Sequence, residues 1–376
     1  MEKMCIDVTK MPKLGFGLMR LPERDGQIDM EQVCHMVDLY MEKEGFHYFD
    51  TAYGYHGGKS ETAVREALVQ RYPRDSFYLA TKLPAWEISS AQDRDRLFAE
   101  QLARTGTDFF DFYLLHALED GDHYETYEKF DCFQWAVEKK KEGKIRHFGF
   151  SFHGSPKLLE EVLDRHPEVE FVQIQLNYAD WKNPLVHSGK LYEILRRRRL
   201  PIIVMEPVKG GTLAELTPEF EEMFNKVRPE ASAASWAMRF AGSLTGVATI
   251  LSGMSNEEQM KDNLHTFTAF EPLDEKEKEV IGEVVKKMLD MPVIPCTSCR
   301  YCCEGCPKGI QIPDVFRALN TMRMYPGDNR PQMFYHGLVS HSGKASDCIA
   351  CGKCEGVCPQ HLKIPELMKE VAEKLG

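Results

Sequence analysis

Apolar runs of membrane length are absent from this chain. No stretch of its 376 residues approaches the roughly 20 apolar residues that a bilayer span requires, which excludes a membrane-spanning helix. The segment from Met1 to Arg20 lacks the basic start and apolar core of a secretory signal and carries Glu2 and Asp7 instead, so a cytoplasmic protein is expected. Positive charge is in deficit: 47 Lys and Arg against 58 Asp and Glu leave a net charge of −11. That balance speaks against a general nucleic-acid binder, which needs a basic face. The one basic run, Arg196 to Arg199, follows a helical pattern and reads as a solvated helix end, where cations suit the dipole. Cysteine is scarce in the first 295 residues, which hold only Cys5, Cys34 and Cys132. The other nine crowd into the last 81. With no oxidising compartment implied, thiols clustered in this way read as metal ligands rather than disulfides. The overall composition, 43% hydrophobic and 28% charged, is that of a globular protein and excludes a disordered or fibrous one.

The length allows one large domain and one small one. From Leu14 onward, apolar runs of strand length alternate with longer amphipathic segments. Eight strands are expected: at 14–18, 47–50, 77–82, 109–116, 145–151, 171–176, 201–206 and 247–251. Strand–helix alternation with crossovers this long means parallel pairing, and eight units in about 250 residues fit a closed (β/α)8 barrel. A doubly wound open sheet is the alternative, but it favours a glycine fingerprint after the first strand, and Gly15-Phe-Gly17 is too short for one. An acidic helix from Asp274 to Asp290 and the stretch Met291-Pro-Val-Ile-Pro295 read as the linker, dividing a barrel at 1–285 from a smaller, mainly helical domain at 286–376.

Three expected strands close on a polar residue: Asp50, Lys82 and His116. In such a barrel the C-terminal strand ends face the active site, so these side chains would meet there. Tyr53 and Tyr55 follow in the loop Asp50-Thr-Ala-Tyr-Gly-Tyr55. Reducing a carbonyl needs a proton donor, and a tyrosine, with an ordinary pKa of about 10, serves when that value is lowered. A lysine beside it would stabilise phenolate, and a carboxylate beside the lysine would keep that lysine charged and oriented. Taken singly, each residue has an ordinary structural role open to it: a loop aromatic, half of an ion pair, a core histidine.

Together with Ala80-Thr-Lys82, Leu114-Leu-His116, Gly149-Phe-Ser151, Val172-Gln173 and the stretch from Gly253 to Asn263, these pieces make the chain resemble the aldo-keto reductase superfamily over about residues 12–268. The resemblance implies an enzyme, an NAD(P)-dependent oxidoreductase acting on a small carbonyl or alcohol. It makes Tyr55 the general acid, Lys82 its activator, Asp50 the orienter of Lys82, and His116 the group that positions the carbonyl. It places Ser151 and Gln173 on the nicotinamide carboxamide. The backbone of Pro207 to Gly211, including Gly210, and that of Gly253 to Ser255 would lie along the nucleotide phosphates, with Asn263 facing the adenine. Met205 stands where relatives often stack an aromatic residue on the nicotinamide, and Phe152 where they often have asparagine. The cations that many relatives aim at a 2′-phosphate are missing, Gly253 and Gln259 standing instead, so NADH is expected to bind at least as well as NADPH.

The tail carries Cys296-x2-Cys299-x2-Cys302-x3-Cys306-Pro307 and then Cys348-x2-Cys351-x2-Cys354-x3-Cys358-Pro359. This is the bacterial ferredoxin run, twice over, and it implies two [4Fe–4S] clusters. In two-cluster ferredoxins the fourth cysteine crosses over. One cluster would then use Cys296, Cys299, Cys302 and Cys358, and the other Cys348, Cys351, Cys354 and Cys306. Structural zinc is the alternative, though two cysteine pairs would suffice for it. Cys303 falls outside the pattern. Residues 307–347 separate the runs and include an apolar-periodic stretch from Ile312 to Met324, so the tail resembles the helical ferredoxin modules of multi-subunit redox enzymes. The Ile-x-Ile-Pro313 and Leu-x-Ile-Pro365 stretches after each run look like a repeat that starts a helix.

Clusters pass single electrons and nicotinamides pass hydride, which leaves three readings of the fusion. The clusters relay electrons from a ferredoxin-like partner, through a flavin for which no residue identifies a site; or they are structural or redox-sensing; or the barrel is a catalytically silent nucleotide-responsive module.

Overall fold

The computed structural model describes residue 7 and residues 10–119, 121–183, 186–324 and 330–376. It divides into two units: 1–207 with 234–273, and 208–233 with 274–376.

The first unit is a closed barrel of eight parallel strands. In chain order they are β1 (Leu14–Gly17), β2 (Tyr48–Asp50), β3 (Tyr78–Pro84), β4 (Phe110–Leu118), β5 (Ile145–Phe152), β6 (Phe171–Gln175), β7 (Ile202–Met205) and β8 (Val247–Ser252). Each pairs with the next, and β8 returns to β1 with Leu14 opposite Ile250. The strands are buried almost throughout, as expected where a helical ring covers the outside and side chains fill the inside. One cluster of the buried core is Tyr48, Ala80, Phe112, Leu114, Phe171, Ile203 and Leu251, drawn from β2, β3, β4, β6, β7 and β8. Gly149 shows how tightly they meet, since a Cβ there would stand 2.4 Å from the carbonyl oxygen of Phe171. The basic run lies where a helix end was expected: Arg197 and Arg198, at the close of the helix Ser188–Arg197, pair with Glu160.

The second unit is helical. Ile312–Met324 and Ile364–Leu375 pack together over Val315, Phe316, Leu319, Met368 and Val371, and proline stands in the first turn of both. This is the repeat anticipated after each cysteine run. The helix Glu275–Leu289 opens on a capping box of Asp274 and Glu277. The division at 285/286 differs from the observed partition, because this helix groups with the second unit. It packs beside Pro218–Asn225, with Arg228 on Glu277 and Lys287 on Glu219. Among the described residues no helix is long and apolar enough to cross a membrane.

Candidate active site and cluster cradle

Asp50 ends β2, while Lys82 and His116 lie two residues inside the ends of β3 and β4. Register does the rest. Asp50 pairs with Ala80, and Pro84 with His116, so the C-terminal ends of three adjacent strands share one mouth. Beyond Asp50 the chain turns back through a hydrogen bond from the Tyr55 amide to the Ala52 carbonyl at 3.2 Å, which brings the tyrosine over the lysine. Lys82 Nζ donates to Asp50 Oδ1 at 2.6 Å and to the Thr51 carbonyl at 2.7 Å, and it lies 3.4 Å from Tyr55 Oη. All four sequence-predicted residues are therefore gathered. The Tyr55 and His116 rings meet edge-on at 5.9 Å.

The electrostatics differ from expectation at the tyrosine. Its pKa is held well above the ordinary value, first by burial and then by the carboxylates of Asp50 and Glu206, with Arg20 pulling the other way. The lysine was expected to lower it. The physical reason for the difference is burial first, which penalises the phenolate, and then that Lys82 spends its charge on Asp50 at contact distance. Burial also draws Lys82 below the ordinary lysine range against the pull of Asp50. His116 is pushed well below the usual histidine range by burial and then by Lys82, so it is neutral at physiological pH. Its carbonyl accepts from Tyr127 Oη at 2.7 Å, which fixes the strand there.

Three buried polar atoms at this mouth have no hydrogen-bond partner among the described residues: Asp50 Oδ2, His116 Nδ1 and Gln173 Oε1. Buried polar atoms are almost always paired, so three unpaired ones together suit a site that receives a polar ligand. Ser151 and Gln173 lie opposite each other in the β5–β6 register, and Gln173 Nε2 reaches Met205 Sδ at 3.4 Å. Ser151 Oγ accepts from the Ala117 amide at 2.8 Å. These residues fit a nicotinamide amide beside Tyr55. Gly253 and Ser255 follow β8, with the Ser255 amide donating to Gln259 Oε1 at 2.8 Å. Asn263 instead turns inward and donates to Ser252 Oγ at 2.9 Å. Pro207 closes the first unit's run, whereas Gly210 and Gly211 belong to the second, where a Cβ on Gly210 would stand 2.0 Å from the Thr297 carbonyl oxygen.

Sequence reasoning missed several residues here. Glu61, fully buried, accepts from Thr81 Oγ1 at 2.7 Å and Gln101 Nε2 at 2.9 Å, and Gln101 also holds the Lys82 carbonyl. In sequence it is one acidic residue at a helix start, and only the topology places it behind the lysine. Trp86 stands 5.1 Å from the His116 ring, in the turn after β3. Ala117 and Glu206 have left-handed backbone at φ 53° and 55°, each directly after a mouth residue. Such strained positions tend to collect at functional sites.

In the second unit the two cysteine runs repeat as backbone. Left-handed residues recur at Ser298 and Ala350, at Arg300 and Gly352, and at Gly309 and His361, so the same offsets hold in both runs. Turns of this kind point amide groups inward and suit an anionic centre. The Ser298 amide already points to Cys296 Sγ at 3.5 Å. One cavity is lined by Cys296, Cys299, Cys302 and Cys358, the other by Cys306, Cys348, Cys351 and Cys354. Each run thus sends its fourth cysteine to the other run's cavity. Burial pushes the Cys354 thiol up to about 11, and Cys348 and Cys306 push the same way. Eight thiols ringing two cavities fit a pair of larger groups such as cubanes.

The model of the aldo/keto reductase family matches residues 13–286, and that of a 4Fe-4S dicluster domain matches residues 295–362. An uncharacterized oxidoreductase, YqkF, of Bacillus subtilis is 26% identical over 60% of this chain and 79% of its own length. L-galactose dehydrogenase of Arabidopsis thaliana is 25% identical over 73% of this chain and 90% of its own. The solved structure of an aldo-keto reductase from Bacillus halodurans in its holo form superposes with a TM-score of 0.58 at 25% identity, covering 73% of this chain and 92% of that one. Barrel, mouth and matches agree: this chain belongs to the aldo/keto reductase family and carries a 4Fe-4S dicluster domain at its C-terminal end.

Proposed function

We propose that the barrel interconverts a small carbonyl compound and its alcohol with NAD(P)H, and that the second unit holds two crosswise-ligated [4Fe–4S] clusters that relay electrons to or from a ferredoxin-like partner. The observation that carries the first part is the buried line Asp50–Lys82–Tyr55 beside a neutral His116. A bound nicotinamide supplies or accepts the hydride. In reduction, Tyr55 Oη gives its proton to the carbonyl oxygen, which leaves as the alcohol hydroxyl. Lys82 keeps that hydroxyl in place and offsets phenolate charge as the proton leaves. His116 offers an uncharged ring N–H to the same oxygen, which favours a neutral carbonyl over a carboxylate substrate. Asp50 and Glu61 hold the lysine. The clusters would be held by the two thiol sets, and one-electron exchange is the chemistry they supply.

Tyr55→Phe tests the assignment, because it removes only the hydroxyl. Proton transfer contributes about 10²–10⁴-fold, so carbonyl reduction should fall by that factor while cluster absorbance and folding stay unchanged. Undiminished turnover would sink it. An anaerobic spectrum with NADH and with NADPH tests the relay, since bleaching of the cluster absorbance shows that nicotinamide reduces the clusters.

A further inference from the structure

The ends of β1, β7 and β8 bring together a charged pair outside the Asp50–Tyr55–Lys82–His116 set. Arg20 ends the short turn after β1. Its side chain lies over Gly253, where a Cβ would stand 3.1 Å from Arg20 Cδ, so glycine is what admits it. The Arg20 carbonyl accepts from Ser255 Oγ at 2.8 Å, fixing the turn to the loop after β8. Arg20 Nη2 meets Glu206 Oε1 at 3.3 Å, a long contact between side chains 27% and 17% exposed. Glu206 follows β7 in left-handed backbone, and its carbonyl accepts from Asn177 Nδ2 at 3.0 Å. The pair thus sits at the lip of the barrel, on loops where barrels of this class commonly hold phosphate groups.

A dianionic linker brought here meets the carboxylate of Glu206. Lys82 cannot answer it, being sealed from solvent and bound to Asp50. A guanidinium presents a donor fork that matches phosphate. Partly exposed ion pairs are weak, so a phosphate can compete with Glu206 for the guanidinium at small cost. We propose that Arg20 receives the pyrophosphate of the bound dinucleotide and that Glu206 is the carboxylate this phosphate displaces. The inference rests on the nicotinamide reading above and supplies a cation that the sequence alone did not show.

The test is fluorescence titration of NADH and NADPH against the cluster-loaded protein at low and high salt, with cluster absorbance and circular dichroism as controls on folding. Arg20→Gln should raise the Kd for both nucleotides about tenfold to a hundredfold and flatten the salt dependence, in line with loss of one charge-assisted contact. Arg20→Lys should fall between the two. Glu206→Gln should bind as tightly as wild type or up to about fivefold tighter, since a competing charge is gone. A Kd for Arg20→Gln within twofold of wild type overturns the proposal. So does an equal loss in Glu206→Gln, which would indicate general damage to the lip, and so does an effect confined to NADPH, which would put Arg20 on a 2′-phosphate. If the wild-type protein binds neither nucleotide, the nicotinamide reading itself falls and this inference falls with it.

Discussion

Replacing Lys82 by methionine breaks a buried ion pair and leaves its partner stranded. The lysine has no solvent exposure, and Asp50 is 2% exposed with Oδ2 lacking a hydrogen-bond partner among the described residues. Removing one member of such a pair typically costs about 3–5 kcal/mol, because the other charge remains buried and uncompensated. For a barrel of this size each kcal/mol moves the thermal midpoint by roughly 2–4 °C, so a drop of roughly 6–20 °C is expected. The double variant Asp50→Asn with Lys82→Met removes both charges and should recover most of the loss. What remains is the donor taken from the Thr51 carbonyl, worth about 1–3 kcal/mol. The pH dependence has a definite sign. Without the lysine, burial holds the folded pKa of Asp50 above its unfolded value. Both states are then protonated at low pH, and the deficit grows as pH rises through the ordinary carboxylate pKa, near about 3.9, before levelling off at the folded value. The assay is thermal unfolding of the cluster-loaded protein by circular dichroism at about pH 5 and about pH 8, with the deficit smaller at the lower pH. A Lys82→Met protein within about 1 kcal/mol of wild type at both pH values would refute the reasoning, because the pair would then carry no burial penalty.

Other outcomes follow from the same geometry. Carbonyl reduction should be level between about pH 6.5 and about pH 9.5, since His116 is held well below and Tyr55 well above their ordinary values; a limb near neutrality in the pH–rate profile would contradict this. Gly210→Ala forces a side chain onto the Thr297 carbonyl at a φ of 65°, and should lower the iron content of purified protein. Gly282→Ala, with open space and ordinary backbone, should leave iron content unchanged. Cys306→Ala should alter the electron paramagnetic resonance signal of the cluster held by Cys348, Cys351 and Cys354, and Cys358→Ala that of the other; an effect confined to each run's own cluster would reverse the ligand assignment.

How much of this was legible before any coordinates existed depends on the range of the interaction. Strand segments show as apolar runs with a polar residue at a fixed end, so β1 to β8 and the convergence of Asp50, Lys82 and His116 could be read locally. The cysteine spacing is local too, and its doubling carries the two-cavity arrangement with it. Arg20 and Glu206 are separated by 186 residues and join only through the closure of β1 onto β8. Neither stands in a motif. Glu61 looks like a dipole-favoured residue at a helix start until the β3 register puts Thr81 against it. The helix Glu275–Leu289 was read as part of the linker because its charge pattern says only that one face is solvated. Its partner, Pro218–Asn225, lies in a loop between β7 and β8 whose allegiance no local pattern reveals.

The direction of the tyrosine's pKa shift is where the structure departs from pattern reading, and it bears on the direction of the chemistry. Motif logic treats a neighbouring lysine as a source of positive potential. Here the lysine's nearest partner is a carboxylate at 2.6 Å and its distance to the hydroxyl is 3.4 Å, so the pair acts on Tyr55 more as a dipole than as a cation. Glu206 adds a further negative contribution and Arg20 opposes it. A tyrosine in that field keeps its proton across the physiological range, which suits an acid waiting to donate and opposes a base waiting to accept. On the proposed reading, reduction of the carbonyl is then the direction the resting site is prepared for. Alcohol oxidation must first remove a proton that burial and two carboxylates hold in place. An anion that drew Arg20 away from Glu206 would deepen that hold, since it would add negative charge and leave the Glu206 carboxylate uncompensated. Occupation of the Arg20 position and the hold of Tyr55 on its proton are thereby coupled through one ion pair.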